Sequence, residues 1–316
     1  MKPEIFYGTK IINIKIKDTE ELPEEFCKNK CILEVVGNWG GWKIYHVEWG
    51  TPPTLEIELT FILNNYTSKK IRNIHLETFI FPSDYRQEII DVQLSHNDMD
   101  IIHDDFGNWI LTFDLPVLNA KKKEKLTIKE RIRTKHFAVK NKDWGKIEST
   151  NKIEKRVLKG KIQTASREEI LQLAKKLIGK NIYESVRNVV LFVKRNVKYF
   201  ENPRRLGAMF ALKHGKGACD EITDLCVSIL KAMGIKARSI IGFVIGGRAH
   251  AWLEVYSPNY GWVPVDPIAG FIGGLSVKWL KLFVEKVPGE RFIKINVRRG
   301  LKVDLRIRAN EEDLKL

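Results

Sequence analysis

Cysteine, glutamine and long apolar runs are scarce in this sequence, and each scarcity narrows what the protein can be. With four cysteines in 316 residues, disulfides are excluded as the main source of stability. Cys27 and Cys31 stand four apart, but no second pair of cysteines or histidines completes a zinc site, so no metal is expected. No apolar run approaches the roughly 18 residues of a membrane span. Met1-Lys2-Pro3-Glu4 leads into mixed sequence rather than into the apolar stretch of a secretory leader. A cytoplasmic location with no membrane partner is the expectation. The four glutamines, set beside abundant lysine, glutamate and isoleucine, resemble the composition of proteins from hot environments.

What is present is a globular composition, 44% hydrophobic and 29% charged. The length suffices for one large or two ordinary domains with a sizeable core. The formal net charge is +15. Basic residues cluster in Lys121-Lys122-Lys123-Glu124-Lys125, in Lys152-Ile153-Glu154-Lys155-Arg156 and at Arg298-Arg299. Such a surface could attract nucleic acid or an acidic substrate. The runs are interleaved with acids and carry no nucleic-acid motif, so a solvated surface is the better reading.

Residues 1–140 read as β structure. Leu55 to Phe61 and Leu126 to Ile132 alternate strictly, Ile74 to Phe81 and Trp109 to Leu115 are further strands, and Asp104 to Asn108 is a turn. That spacing suits an antiparallel β-sandwich. His46, His75, His96, His103 and His136 are scattered through it and read as surface or structural residues. Residues 141–165 form a polar, lysine-rich linker, and residues 166–316 a second domain. It opens with a helix that Ser166 and Glu169 would cap and that stops at Gly179. A second helix carries Ile182, Val186, Val189, Val190, Val193 and Val197 on one side.

The chemistry concentrates in Gly215-Lys216-Gly217-Ala218-Cys219-Asp220-Glu221. Ile222, Leu225, Cys226, Ile229, Leu230 and Met233 form one apolar helical stripe ending at Gly234, which places Cys219 at a helix N-terminus and Cys226 in the core. There the helix dipole favours a thiolate, and the unpaired N–H groups suit a developing oxyanion. Ile235 to Ile245 reads as a strand turning at Gly246-Gly247, and Arg248 to Tyr256 as the next. Ser257-Pro258-Asn259-Tyr260 then turns into Gly261-Trp262-Val263-Pro264-Val265-Asp266-Pro267. A hairpin symmetric about Pro258 would set His250 directly opposite Asp266, with Cβ atoms about 5 Å apart. That spacing suits a carboxylate orienting an imidazole. After Asp266, Gly270 to Gly274 reads as a loop, Ser276 to Glu285 as a short helix, 292–297 and 303–307 as closing strands, and Asn310 to Leu316 as a frayed end.

GACDEITDLCVSILKAMGIKARSIIGF, followed by HAWLEVYSPNYGWVPVDP, resembles the core of the transglutaminase-like superfamily of cysteine acyltransferases and hydrolases. In that family G-x-C opens the central helix, a G-I-x-A-R turn enters the sheet, H-A-W carries the base and G-W-x-x-x-D-P carries the aspartate. The resemblance implies Cys219 as nucleophile, His250 as general base and Asp266 as orienting carboxylate, with no cofactor. Lys236 stands where the family's turn often has proline, and Ile268 where threonine is frequent. The N-terminal β region is similar to those of prokaryotic members, and the implied fold is α+β, an N-terminal antiparallel β-sandwich ahead of a transglutaminase-like core.

The implied reaction is acyl transfer or hydrolysis at an amide or peptide carbonyl of a protein or peptide substrate, through a thioester. Tyr199, Asn202 and His214 lie on the approach to Cys219 as oxyanion or pocket residues, and each reads equally as structural. Trp252 shares the His250 face and either walls the acyl pocket or packs beneath it. Two other functions fit parts of the sequence: a protein-interaction module that keeps the fold without turnover, and a nucleic-acid-binding protein with steeply salt-dependent affinity. Nothing in the sequence specifies an oligomeric state.

Overall fold

A computed structural model describes residues 4–6, 8–37, 39–147, 164–202, 204–297, 299–310 and 312–314. The chain begins with β1 (Glu4–Phe6), β2 (Thr9–Lys17), the single turn α1 (Glu24–Cys27), β3 (Cys31–Val35) and β4 (Trp42–Gly50). Next come β5 (Thr54–Asn65), β6 (Ile71–Ile80), β7 (Gln87–Leu94), β8 (Met99–His103), β9 (Trp109–Leu118), β10 (Lys123–Thr134) and β11 (Phe137–Ala138). Helices α2 (Thr164–Leu177) and α3 (Ile182–Asn196) follow, then β12 (Lys198–Tyr199), α4 (Ala208–His214), β13 (Lys216–Gly217) and α5 (Cys219–Ala232). The remainder is β14 (Ala237–Val244), β15 (Ala249–Ser257), β16 (Gly261–Asp266), β17 (Phe271–Ile272), β18 (Gly274–Leu275) and β19 (Trp279–Val284), then β20 (Ile293–Ile295), β21 (Leu301–Ala309) and β22 (Glu312–Leu314). The class is α+β with mostly antiparallel sheets.

The chain folds into two compact units, and both are discontinuous in sequence. The first comprises Met1–Thr51, His136–Ile240 and His250–Ser276. Its main sheet runs β1-β2-β4-β3-β17-β16-β15-β14. The apolar faces of α2, α3 and α5 supply a core with Leu253, Val255, Val263 and Val265 of the sheet. The N-terminal strands thus belong with the helices rather than with a separate N-terminal domain. β3 pairs with β17 through Val35 and Phe271, and the Val36 N–H donates to the Gly270 carbonyl at 2.7 Å. His46 is structural, its ring held between Asn13 and the buried Glu48 at 3.0 and 2.9 Å.

The second unit comprises Pro52–Lys135, Ile241–Ala249 and Val277–Leu316. It holds two antiparallel sheets, β22-β21-β5-β10-β7 and β20-β6-β9-β8. Leu55, Ile57, Leu59, Phe61 and Leu63 of β5 are buried at every second position, as are Ile74 and Leu76 of β6 and Leu111 and Phe113 of β9. This is the pattern of two sheets sharing a core. The Asn65 amide in β5 donates to the carbonyls of Leu118 and Asn119 at the end of β9, at 3.1 and 3.0 Å, joining one sheet to the other. The expected sandwich therefore starts at residue 52 and is completed by C-terminal strands. β21 pairs with β5 at nine positions, from Leu301↔Asn65 to Ala309↔Ile57.

Three local expectations are revised. Ser276 to Glu285 holds strand β19 instead of a helix: Leu280 to Val284 is buried on both faces, and such a short apolar run with aromatic and β-branched residues suits a strand. The Gln87 side chain clamps it, donating to the Lys281 carbonyl at 2.8 Å and accepting from the Lys281 N–H at 2.9 Å. The expected frayed end carries β22, paired with β21 at three positions. In the expected linker, residues 141–147 pack on the hairpin of β15 and β16. There the Ser257 hydroxyl donates to the Trp144 carbonyl at 2.9 Å and the Asn259 amide to that of Asp143 at 2.9 Å. Residues 148–163, with the Lys152–Arg156 cluster, lie outside the described residues, as do Arg298 and the side chain of Ser166. Helix α2 already begins at Thr164, ahead of Ser166.

One buried acid in the sandwich gives a stability prediction. Glu130 is 1% exposed, and its Oε1 has no hydrogen-bond partner among the described residues. Burial raises its pKa to about 8, against a single hydrogen bond from the Phe81 N–H. Between pH about 4.5 and about 8 the folded state holds a proton that the unfolded chain has lost, so stability falls with rising pH across that window. Glu130→Gln should flatten this dependence and exceed the parent by a few kcal/mol at pH 8 to 9. Urea unfolding at a series of pH values measures it, and parallel pH profiles for the two proteins would contradict it.

Candidate active site

Helix α5 is built to present its first residue. Ile222, Leu225, Cys226, Ile229 and Leu230 are buried along one side, and the helix stops where the Ile235 N–H returns to the Leu230 carbonyl at 3.0 Å. At the other end Ala218 is the N-cap and supplies no side-chain acceptor. The buried Glu221 reaches back instead, accepting from the Ala218 N–H at 2.8 Å and the Leu206 N–H at 2.7 Å. A Cβ on Gly217 would come within 2.8 Å of the Glu221 Cβ, so this bend needs glycine. Cys219, half-buried and not in a disulfide, is the first helical residue.

His250 and Asp266 are brought together by the β15–β16 hairpin, whose centre lies one position, and whose register two positions, from the symmetric expectation. Ser257 pairs with Gly261 and Leu253 with Val265, which centres the turn on Asn259. Gly261 has φ +73°, the left-handed conformation that closes a three-residue hairpin loop. His250 and Asp266 are consequently diagonal neighbours on one face, within side-chain reach. Asp266 Oδ2 lies 2.8 Å from His250 Nε2, and Oδ1 accepts from the N–H groups of Ile268 and Ala269 at 2.8 and 3.0 Å. The carboxylate is fully buried, and the imidazole side chain is 15% exposed.

Burial disfavours charge on His250, but hydrogen bonds to Asp266 and Cys219, together with the charges of both, outweigh it and raise its pKa to about 10. In Cys226, burial pushes the thiol pKa up and the Asp266 charge adds to it, so this second cysteine of the helix stays a protonated core residue.

Other side chains hold the three elements in place. The Thr223 hydroxyl, one turn into α5, donates to the carbonyl of Ala251 beside His250 at 3.2 Å. Arg238, at the start of β14, pairs with Glu254 of β15 at 2.8 Å and lies 4.0 Å over the Trp262 ring of β16. The Lys194 ammonium donates to the Ile268 carbonyl at 2.9 Å, on the loop that feeds Asp266 its N–H groups. Burial lowers the Lys194 pKa, and the Asp266 charge opposes that shift. Lys194 and Thr223 were not expected from the sequence. A lysine interrupting the apolar side of α3 just before its end was the available signal for the first, and Thr223 left none.

Of the four accessory residues, Trp252 is 1% exposed with its ring 6.2 Å from that of His250, so it packs beneath the imidazole. Tyr199 is exposed and pairs through its backbone with Gly217. The Asn202 side-chain oxygen accepts from the Arg204 N–H at 3.3 Å. His214 is exposed at the end of α4, its ring 4.6 Å from that of Phe210. Among the described residues no group of three or more His, Cys, Asp and Glu is arranged to hold a metal ion. No helix among them is long and apolar enough to cross a membrane. The arrangement pairs a sulfur at a helix N-terminus with an imidazolium anchored by a buried carboxylate.

Asp266→Asn should lower the titration midpoint of His250 from about 10 towards the ordinary value of about 6.5. NMR of the ring protons follows it, and a midpoint unchanged by the substitution would contradict the electrostatic account.

Residues 172–267 match the sequence profile of the transglutaminase-like superfamily. The uncharacterized protein YebA of Bacillus subtilis (strain 168) is 29% identical over 101 residues, which cover 27% of this chain and 14% of YebA. Among solved structures, a candidate cysteine protease from Cytophaga hutchinsonii superimposes with a TM-score of 0.55 at 13% identity, over 83% of this chain and 92% of its own. The periplasmic domain of TgpA from Pseudomonas aeruginosa, bound to ethylmercury, gives a TM-score of 0.33 at 16% identity, over 84% and 90%.

Proposed function

We propose that this transglutaminase-like core is a cysteine hydrolase or acyltransferase acting on amide carbonyls of proteins or peptides through a Cys219–His250–Asp266 triad. The observation that carries the reading is that the buried Asp266 lies 2.8 Å from His250 Nε2, while Cys219 at the start of α5 acts on the same imidazole and, with Asp266, raises its pKa. The Cys219 thiolate attacks the carbonyl carbon, forming the C–S bond, while N–H groups in the first turn of α5 receive the oxyanion. His250 gives its Nδ1 proton to the departing nitrogen as the C–N bond breaks, leaving a thioester on Cys219. Water or an amine, deprotonated by His250, then attacks the thioester. The C–S bond breaks and the thiolate–imidazolium couple is restored.

Asp266 keeps the imidazole in the required tautomer and does not itself take the proton. The chemistry requires a reduced thiol. Water as acceptor gives a peptidase or amidase, and an amine gives a cross-linking enzyme.

The test is incubation with carboxamide and peptide substrates, with and without a primary amine, followed by intact-mass measurement. A transient acyl adduct on Cys219 and product formation that falls by at least about a thousandfold in Cys219→Ala are expected. Undiminished turnover in Cys219→Ala would contradict the reading. So would the absence of both adduct and product across the substrate panel, which would favour an interaction module on the same fold.

A further inference from the structure

The chain that wraps the start of α5 carries an unusual surface. Tyr199, Phe200 and Leu206 are 54%, 44% and 43% exposed. All three are tied to the backbone around Cys219. Tyr199 pairs with Gly217, the Phe200 N–H donates to the Gly217 carbonyl at 2.9 Å, and the Leu206 N–H shares Glu221 with the Ala218 N–H. Large apolar side chains held in water by fixed backbone pairing mark a recognition surface rather than a core.

The same stretch is flanked by charge of one sign. Lys198, Arg204 and Lys216 are exposed, and the Lys216 ammonium sits 4.7 Å over the Phe200 ring. The acids here are fewer or engaged: Glu201 is exposed, but Asp224 is held by Arg205 at 2.6 Å, with Asp220 3.9 Å from the same guanidinium. Burial and the neighbouring Glu221 raise the Asp220 pKa, and Arg205 opposes them. The positive end of α5 adds to the field.

We infer that this surface selects an acidic polypeptide, presenting a large apolar side chain to Tyr199, Phe200 and Leu206 and carboxylates to Lys198, Arg204 and Lys216. The inference rests on the proposed acyl chemistry, and that chemistry chooses a polypeptide over other polyanions: the thiol beside the surface needs an amide carbonyl, which neither a nucleic acid backbone nor a phospholipid headgroup supplies.

Two peptidyl acyloxymethyl ketones test it, each with phenylalanine near the reactive group, one flanked by glutamates and the other by lysines. Rates of Cys219 labelling are read by mass spectrometry at low salt and at roughly 0.5 M salt, where surface fields are screened. The acidic probe should react at least about tenfold faster at low salt, the gap should close at high salt, and Lys198→Glu with Lys216→Glu should abolish it. Neutral iodoacetamide, used alongside on parent and variant, reports the reactivity of Cys219 itself, and each probe's rate is taken relative to it. Fast iodoacetamide labelling without preference between the probes overturns this inference and leaves the proposed function standing. Slow labelling of Cys219 by every reagent, iodoacetamide included, overturns both. Tighter binding of a single-stranded RNA oligonucleotide than of the acidic peptide would assign the surface to nucleic acid and overturn the inference.

Discussion

The site depends on keeping one carboxylate charged where no water reaches it. Asp266 has no solvent exposure, and an unpaired charge there would cost several kcal/mol. Its lone pairs are instead met by the Ile268 and Ala269 N–H groups and by His250. The protein thus commits a tight turn, 266–270, to making the aspartate an anion. The anion in turn outweighs the burial that would otherwise strip the proton from His250.

From that constraint the neighbouring architecture follows. The turn is held from one side by Lys194 at the Ile268 carbonyl and closed by the Gly270 N–H on the Asp266 carbonyl at 2.8 Å. The three strands β14, β15 and β16 are cross-linked by Arg238, Glu254 and Trp262, so the hairpin bearing His250 and Asp266 is braced along its length. Thr223 sets the height of α5 against β15. The N-terminal strands contribute through β3, which pairs with β17 at Phe271, itself the register partner of Asp266. Segments far apart in sequence therefore converge on one backbone turn, and this is why the first fifty residues fold with the helical unit.

Much of this was legible in the sequence, for physical reasons that also mark where legibility ended. The apolar stripe of α5 and the alternation of β15 are strong periodic signals, and they place Cys219 at a helix start and His250 on a strand, where the structure has them. The strict alternation of β5 and β10 likewise revealed the sandwich. Register was harder: a centre at Pro258 or at Asn259 leaves His250 and Asp266 on the same face, because a shift of one in the turn moves the partner by two. The face was readable and the direct opposition was not. The extent of each domain was lost because strand pairing at long sequence separation, such as β21 on β5 or β3 on β17, leaves no local pattern. β19 was mistaken for a helix because Val277, Leu280 and Phe283 satisfy a helical spacing, while burial on both faces emerges only from the assembled sheet.

The most direct test of the central claim is the pH dependence of iodoacetamide alkylation at each cysteine, read by peptide mass spectrometry in the parent and in His250→Ala. Buried Cys31 and Cys226 and half-buried Cys27 serve as internal references in the same sample. The account predicts that Cys219 reacts rapidly well below pH 8 and loses that reactivity when His250 is replaced. A Cys219 that is alkylated no faster than Cys27 well below pH 8 and is indifferent to His250→Ala would contradict it.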